Sequence, residues 1–503
     1  MTGQSSPVPP QKRSPKAVAK VNKWLITFTI MISTSLAVID TSIVNVAIPK
    51  IQASFEASID QVGAVTTFYI ISNVIVMPLA GYLNSLLGRK QFFAGAIILF
   101  TIASLLCGLS WNLSSLICFR ILQGIGGGVL IPTAQAILLE TFPKEEHGKA
   151  MGIFGLGVIV NPAIGPVLGG YLTDTVGWRS IFAVNLLPGI FAAVMVLLFI
   201  HNPPFLKKPE GKFDWQGLTT LLIGLSTLQY LLENGQRLGW FSSKLVIFLT
   251  LVALVNLVYL VRRERIIHYP IIDLSAFGNS TFVAGNIISF LTGFSLYGLL
   301  FVLPIFMSHI LHFNTIQMGL ALMPGALSMA LMMPVAGRLA DHLDPRISLG
   351  LGIGIFVGAT WQFSYLTVHS GYWDLFWPQI GRGIGLGLVF VPLSTATLGS
   401  ISIAKRVSAS GLYNLIRQLG GSLGIAILTV MVQRLQAFHF YKLNQGVTAQ
   451  ALITLPDLHQ TAAVLAYNDL FRYSALIFTA SYLPLLFLKV KRTSREQASI
   501  PLD

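Results

Sequence analysis

A chain of 503 residues with 54% hydrophobic residues, 10% charged residues and a mean hydropathy of +0.72 is far more apolar than a soluble protein, whose charged fraction is about 25%, and it belongs in a bilayer. The net charge of +14 does not point to nucleic acid, because the basic residues sit in short clusters between apolar runs and not in one patch with interleaved aromatics. Cys107 and Cys118 are the only cysteines and both fall in apolar runs, so a disulfide framework or a Cys-based metal site is unsupported.

The first 23 residues are polar and carry Lys12, Arg13, Lys16, Lys20 and Lys23. The apolar run that follows, Trp24 to Pro49, is too long for the core of a signal peptide, about 7 to 15 residues, so it reads as a retained span. Runs of about 20 apolar residues then recur along the chain. They predict spans near 24–48, 62–86, 91–111, 113–137, 149–173, 178–201, 215–234, 243–262, 279–307, 316–339, 347–367, 374–397, 409–433 and 473–490, fourteen in all. An even number puts both termini on one side. Segments on that side hold 23 Lys and Arg, among them Arg89, Lys90, Lys207, Lys208, Lys212, Lys491, Arg492 and Arg495, against seven on the other. Excess positive charge marks the cytoplasmic side, so both termini are expected there, in the cytoplasmic (inner) membrane. Arg120, Arg382 and Arg417 lie inside spans.

The chain repeats itself. "PLAGYLNSLLGRK" (78–90) matches "PVAGRLADHLDPR" (334–346) at an offset of 256, and "VLIPTAQAIL" (129–138) matches "VFVPLSTATL" (389–398) at an offset of 260. Six spans with their loops need roughly 200 residues, so the excess corresponds to two spans inserted between the copies. The expected division is a cytoplasmic tail (1–23), a six-helix bundle (24–201), a two-helix insert with cytoplasmic linkers (202–273), a second six-helix bundle (274–490) with an external loop at 434–472, and a cytoplasmic tail (491–503). The fold class is all-α integral membrane. Parallel repeats of six spans are one way in which secondary transporters are built.

The motifs "VIDTSIVNVAIPKI", "RILQGIGGG", "NPAIGPVLGG", "WRSIFAVNLLPG", "LLENGQRLGWFSS", "YPIIDLSAF" and "NLIRQLGGSLGIAIL" occur in this order. Together they resemble the fourteen-span drug:proton antiporters of the major facilitator superfamily, the EmrB/QacA-like branch, over residues 24 to 490. The resemblance implies the major facilitator fold and proton-coupled export of lipophilic or amphiphilic compounds from the cytoplasm or inner leaflet by alternating access. It implies an antiporter motif at Asn161, Pro162, Gly165, Pro166, Gly169 and Gly170, in which Asn161 departs from a usual glycine. On physical grounds the Gly165/Gly169 pair permits close helix approach and Pro166 loosens the backbone. It also implies a cytoplasmic gate at Gly81, Gly88, Arg89, Asp341 and Arg346. Ser85 and Leu86 replace the usual Asp and Arg of the first loop, so a gate of this kind would lean on Asp341. In such systems the external face meets a periplasmic membrane-fusion adaptor, EmrA-like, and an outer-membrane channel; nothing in this chain demands one.

Asp40 interrupts an otherwise apolar span, where an unpaired charge costs about 3 kcal/mol or more. At 1.5 Å per residue it lies about 24 Å along the first span, and Arg120 lies about 10 Å below the outer surface on the fourth, both in the outer half of a core about 30 Å thick. In the family fold these two spans line the central cavity, so the charges can meet directly or through Gln123. Burial and a guanidinium act oppositely on a carboxylate's proton affinity, so a change in their separation would switch proton binding. Asp40 is therefore expected to titrate and Arg120 to modulate it; a permanently ionised pair that fixes helix packing is the alternative.

Weaker candidates for the substrate path are Asn45, Asn414, Arg417 and Gln418, with interhelix hydrogen bonding as the other reading. Glu233 matches an acidic family position near the outer end of span 7, with simple solvation at the interface as the other reading. Arg382 is either a cavity charge or one that reaches outward. Met329 sits among Met323, Met332 and Met333, whose flexible thioethers suit a promiscuous pocket, with core packing or lipid contact as the stronger reading. An enzyme is the other class of answer, but no HExxH, phosphate loop or facing carboxylate pair is present, and His309 and His312 lack a third metal ligand. No catalytic residue, metal or cofactor is expected. The expected partners are a drug-like small molecule, protons and the lipid bilayer, with no nucleic acid. A dedicated metabolite exporter and a proton-coupled nutrient symporter of the same fold remain alternatives.

Overall fold

The computed structural model describes residues 22–204, 206, 213–267, 269–446 and 455–489. The basic tails, with Lys12, Arg13, Lys16, Lys20, Lys491, Arg492 and Arg495, and the linker lysines Lys207, Lys208 and Lys212 lie outside these residues.

Among the described residues every expected span falls on one helix or a pair. They are α1 (Lys23–Ser54), α2 (Ile59–Val76) with α3 (Ala80–Leu87), α4 (Arg89–Gly108), α5 (Leu113–Gly127) with α6 (Leu130–Thr141), α7 (His147–Thr175), α8 (Ser180–Ala183) with α9 (Leu186–Phe199), α10 (Trp215–Asn234), α11 (Lys244–Ile266), α12 (Ser280–His309), α13 (Thr315–His342), α14 (Pro345–Gln362), α15 (Tyr372–Gly399), α16 (Arg406–Gly446) and α17 (Leu455–Thr479) with α18 (Tyr482–Leu485). Ten of these rods are long and apolar enough to cross a membrane, or eleven if the bent pair α2/α3 counts as one. Of the remaining three, α10 and α17 carry more polar residues, such as Gln229 and Glu233 on α10 and Asn468, Asp469 and Arg472 on α17, while α7 is apolar and charge-free over 150–167 but has side chains outside the described set.

Local chemistry sets the helix starts. Asn22 accepts from the Trp24 N–H at the start of α1, and Ser58 with Gln61, Asn112 with Ser115 and Asn314 with Gln317 form reciprocal caps on α2, α5 and α13. The second span bends by 63° between α2 and α3, where Pro78 interrupts the hydrogen-bond ladder. The run "GIGGG" lets α5 lie against two neighbours. A Cβ on Gly124 or Gly128 would stand 2.7 Å from the Tyr69 or Asn73 carbonyl of α2, and one on Gly126 would stand 2.7 Å from the Ala96 carbonyl of α4.

Helices α1 to α9 pack chiefly among themselves, as do α12 to α18, and the two groups meet along α7 with α13 and α6 with α16. Helices α10 and α11 form a pair, tied by Arg263 to Asp214 at 2.7 Å. The pair bridges both groups at the end of the bundle away from Arg89 and Arg346: Arg237 meets Asp60 at 2.9 Å, and Gln229 donates to Ser422 Oγ at 2.8 Å. One expectation differs from the structure. Residues 434–472 are not one loop, because α16 runs on to Gly446 and α17 begins at Leu455. A polar stretch such as "QRLQAFHFYKLN" ends an apolar run without ending a helix. His439 with Asp469 at 2.8 Å, and the ring of Phe440 stacked 4.0 Å from that of His459, hold the two extensions together.

Candidate functional site

Asp40 and Arg120 meet directly, at 0% and 1% exposure. Asp40 Oδ2 accepts from Arg120 Nη1 at 2.6 Å, while Oδ1 accepts from Gln123 Nε2 at 2.7 Å and Asn185 Nδ2 at 3.0 Å. Arg120 also donates to Gln123 Oε1 at 2.8 Å and the Val65 carbonyl at 3.3 Å, and its guanidinium lies 3.9 Å from the Tyr69 ring centroid. Ser104 accepts the second Asn185 N–H at 3.0 Å and donates to the Phe182 carbonyl at 2.9 Å. The carboxylate is thus held by α1, α5 and the turn before α9, with one charge and two amides compensating it. Such an arrangement retains a charge in an apolar interior and releases it only if a donor moves or a proton arrives. Asn185 and Ser104 were not singled out from the sequence, although "WRSIFAVNLLPG" contains the first; a neutral polar residue in an apolar run carries no alarm comparable to a charge.

Helix α7 presses on α1 beside this cluster. A Cβ on Gly165 would overlap Ser42 Oγ, and one on Gly169 would stand 2.8 Å from Ile43 Cγ1 and 2.9 Å from the Ile43 carbonyl. Asn161 Nδ2 donates to Ser35 Oγ at 2.7 Å. Gly170 has nothing within 4 Å, Pro166 is exposed, and the side chain of Pro162 lies outside the described set. Gly165→Val is expected to force α7 from α1, costing about 1 to 3 kcal/mol as overpacking does, and to impair transport. Gly170→Ala should leave the thermal midpoint and the transport rate unchanged; equal effects of the two would refute a contact specific to Gly165.

The end of the bundle that carries Arg89 and Arg346 is closed by contacts between the two helix groups. Asp341 Oδ1 accepts the Gly148 N–H at 2.6 Å and Oδ2 the Lys149 N–H at 2.9 Å, capping α7 from α13. A Cβ on Gly81 would stand 2.5 Å from Ser408 Cβ, so α3 rests on the start of α16. Arg89 forms a bidentate pair with Glu140, Arg346 Nε donates to the Leu488 carbonyl at 2.6 Å, and Gly88 takes φ +83°, which favours glycine, in the turn between α3 and α4. Arg406 donates to the Leu139 carbonyl at 2.7 Å. His147, which precedes the span expected from 149, is pushed down to about 4, first by burial and then by the Arg406 guanidinium, against weaker upward pulls from the Phe142 and Leu139 backbone and Glu145. Its folded value lies below the ordinary 6.5, so between about 6.5 and about 4 the unfolded chain binds more protons. The stabilisation is complete above that window and is lost as pH falls through it. Thermal midpoints measured from pH 7 to 4 should fall less steeply in His147→Gln than in the parent chain; parallel curves would exclude His147 as the responding group.

The other candidates separate. Asn414 Nδ2 donates to Gln135 Oε1 at 2.6 Å, linking α16 to α6, and Asn414 Oδ1 accepts from Arg417 Nη2 at 2.7 Å. The Arg417 guanidinium lies 5.0 Å from the Phe390 ring. Gln418 is half-buried beside it, Met329 is buried on α13 and Asn45 is exposed on α1. Glu233 is exposed at the end of α10 and accepts from Gln229 at 2.9 Å. None of these belongs to the Asp40 cluster. A cavity of about 440 Å³ between α2, α5, α10 and α11, lined by Phe68, Ile75, Ile121, Thr227, Tyr230 and Leu249, is apolar and holds none of the candidate residues.

The profile of the Major Facilitator Superfamily matches residues 30–425. The colistin resistance protein EmrB of Acinetobacter baumannii is 31% identical over 500 residues, covering 93% of this chain and 97% of that protein. The multidrug export protein EmrB of Escherichia coli is 33% identical over 425 residues, covering 84% and 83%. Among solved structures, the human organic anion transporter MFSD10 (TETRAN) superposes with a TM-score of 0.65 at 14% identity, over 93% of this chain and 99% of that one, a likeness of fold.

Proposed function

The chain belongs to the Major Facilitator Superfamily, and from that premise we infer that it is a proton-coupled multidrug efflux transporter of the EmrB-like drug:proton antiporter branch. Its fold is the all-helical fold of that superfamily, its setting a membrane crossed many times, and its cargo small molecules exchanged for protons. The proposed division is six helices, two inserted helices and six helices, with the arginine-rich end, and hence both termini, in the cytoplasm. The single observation that carries the mechanism is a fully buried carboxylate, Asp40, held by one guanidinium and two amides.

A proton arriving from outside would neutralise Asp40, release Arg120 and the two amides from it, and loosen the α1–α5 contact so that substrate leaves outward. Deprotonation toward the cytoplasm restores the pair and resets the cycle. The closed contacts at Asp341 and Gly81 correspond to the state shut toward the cytoplasm. An EmrA-like adaptor, continuing the path to an outer-membrane channel, would meet the opposite end, where the extensions of α16 and α17 lie together. The chain has no nucleotide-binding motif, so the gradient supplies the energy; the membrane potential alone provides about 2.3 kcal/mol per charge per 100 mV.

The test uses proteoliposomes and an imposed pH difference. A lipophilic cationic dye should accumulate in vesicles whose lumen is acidic, through those molecules whose external face points inward, and stop when an ionophore collapses the gradient. Accumulation indifferent to the gradient, or dye moving in the same direction as protons, would overturn efflux by antiport.

A further inference from the structure

The second helix group repeats the polar constellation around Asp40, but without the acid. Pro49 of α1 aligns with Pro304 of α12, which puts Ser295 at the position of Asp40. The 256-residue offset puts Thr360 at the position of Ser104, Phe363 at that of Cys107 and Gly325 at that of Tyr69. "RILQGIG" on α5 aligns with "QIGRGIG" on α15, so Arg120 and Gln123 become Gln379 and Arg382 in exchanged order, and "IFAVN" aligned with "LFRYS" puts Ser474 at the position of Asn185. The geometry follows the alignment. Cys107 Sγ lies 3.6 Å from Gln123 Oε1, and its counterpart Phe363 has its ring centroid 5.9 Å from the Arg382 guanidinium. Arg120 lies against Tyr69, and its counterpart Gln379 lies against Gly325, where a Cβ would stand 2.9 Å from Oε1. Phe471, the counterpart of Phe182, has its ring 5.4 Å from that of Phe363.

The two constellations differ in how they are satisfied. In the first, the Asp40 carboxylate collects three donors. In the second, Arg382 is 93% buried with no acceptor at Nη1, and Gln379 Nε2 and Oε1, Thr360 Oγ1, Ser474 Oγ and Ser295 Oγ are all buried without a hydrogen-bond partner among the described residues. Orphaned hydroxyls also occur elsewhere among the described residues, as at Thr133, Thr173, Ser364 and Ser481. Here they fall at every polar counterpart of the Asp40 site, Arg382 among them, as at a site whose central acceptor is a separate molecule. The Asp-to-Ser exchange removes a carboxylate and leaves hydroxyls and amide N–H groups in its place.

We propose that the interior of the second helix group binds a small monovalent anion of the chloride class, held by Arg382 with Gln379, Ser295, Thr360 and Ser474, in the place that the Asp40 carboxylate takes in the first. The site is separate from the coupling pair and does not depend on the direction of transport. Binding to the folded state alone makes stability rise with anion concentration.

The experiment is a thermal titration of the purified full chain in detergent, from gluconate to chloride and to bromide at constant ionic strength. The parent chain should show a saturable rise in midpoint with either halide and none with gluconate, and Arg382→Gln should not respond. Ser295→Asp, which supplies a tethered carboxylate, should also lose the response, with a midpoint in gluconate close to that of the parent in chloride. Equal midpoints of the parent chain in chloride and gluconate overturn the proposal, as does an undiminished response in Arg382→Gln. Should Arg382→Gln not fold, an undiminished response in Ser295→Asp overturns it alone. Stabilisation by octanoate with none by chloride also overturns it, assigning the donors to the carboxylate of an amphiphile.

Discussion

Asp40→Asn is expected to abolish proton release on substrate binding, and proton-driven efflux with it, across pH 5 to 9. Asn keeps the size of the side chain and can still accept from Gln123 or Asn185, but it cannot take up a proton. It also leaves Arg120 buried opposite a neutral partner, and breaking one side of a buried ion pair costs about 3 to 5 kcal/mol. A bare loss of transport would therefore not separate coupling from folding. The double replacement Asp40→Asn with Arg120→Gln removes both charges, and neutral replacements for buried pairs are often tolerated. The double variant should recover much of the thermal stability lost in Asp40→Asn while still releasing no protons. A stable double variant that releases protons like the parent chain would make the pair structural and move the coupling site elsewhere. Arg120→Ala should be the most damaging single change, since it strips Asp40 of its charged partner and removes the guanidinium packed on Tyr69.

What could be read in advance follows the strength of each physical signal. A charge in an apolar run is costly enough to stand out, so Asp40 and Arg120 were legible, and their depths along two helices were enough to bring them together. Asn185 and Ser104 complete the same cluster, but neutral polar groups enter membrane helices cheaply and do not stand out. The helix positions were legible because hydropathy reports contact with lipid. The bend between α2 and α3 and the extensions of α16 and α17 were not, since bends answer to packing and an exposed amphipathic helix has no hydropathy signature of its own. The degenerate loop "GYLNSLLGRK" turns attention to Asp341, which caps α7 across the two helix groups, yet the Glu140 partner of Arg89 lies 51 residues away and no local pattern names it.

Asp341→Asn should shift the balance between the closed state and the state open at the arginine-rich end by about ten-fold, because a cap or a charge at a helix N-terminus contributes about 0.5 to 2 kcal/mol and about 1.4 kcal/mol is a factor of ten. Helix α7 has no side-chain cap of its own at Glu146, and both Asp341 oxygens supply that service from α13. When the two helix groups part at this end, the Gly148 and Lys149 N–H groups lose their acceptors, so the bond holds one state and not the other. The repeat contains the matching control. Ser85 stands 256 residues before Asp341, on the helix whose Gly81 rests on Ser408 at the start of α16. Ser85→Asp should add the cap that the first loop lacks and favour the closed state, and combining it with Asp341→Asn should bring the balance back toward that of the parent chain. Distances between spin labels at the exposed positions 144 and 342 report the two populations directly. If Asp341→Asn leaves the distance distribution unchanged, the carboxylate is a static cap and the lock resides in the glycine contacts between α7 and α13.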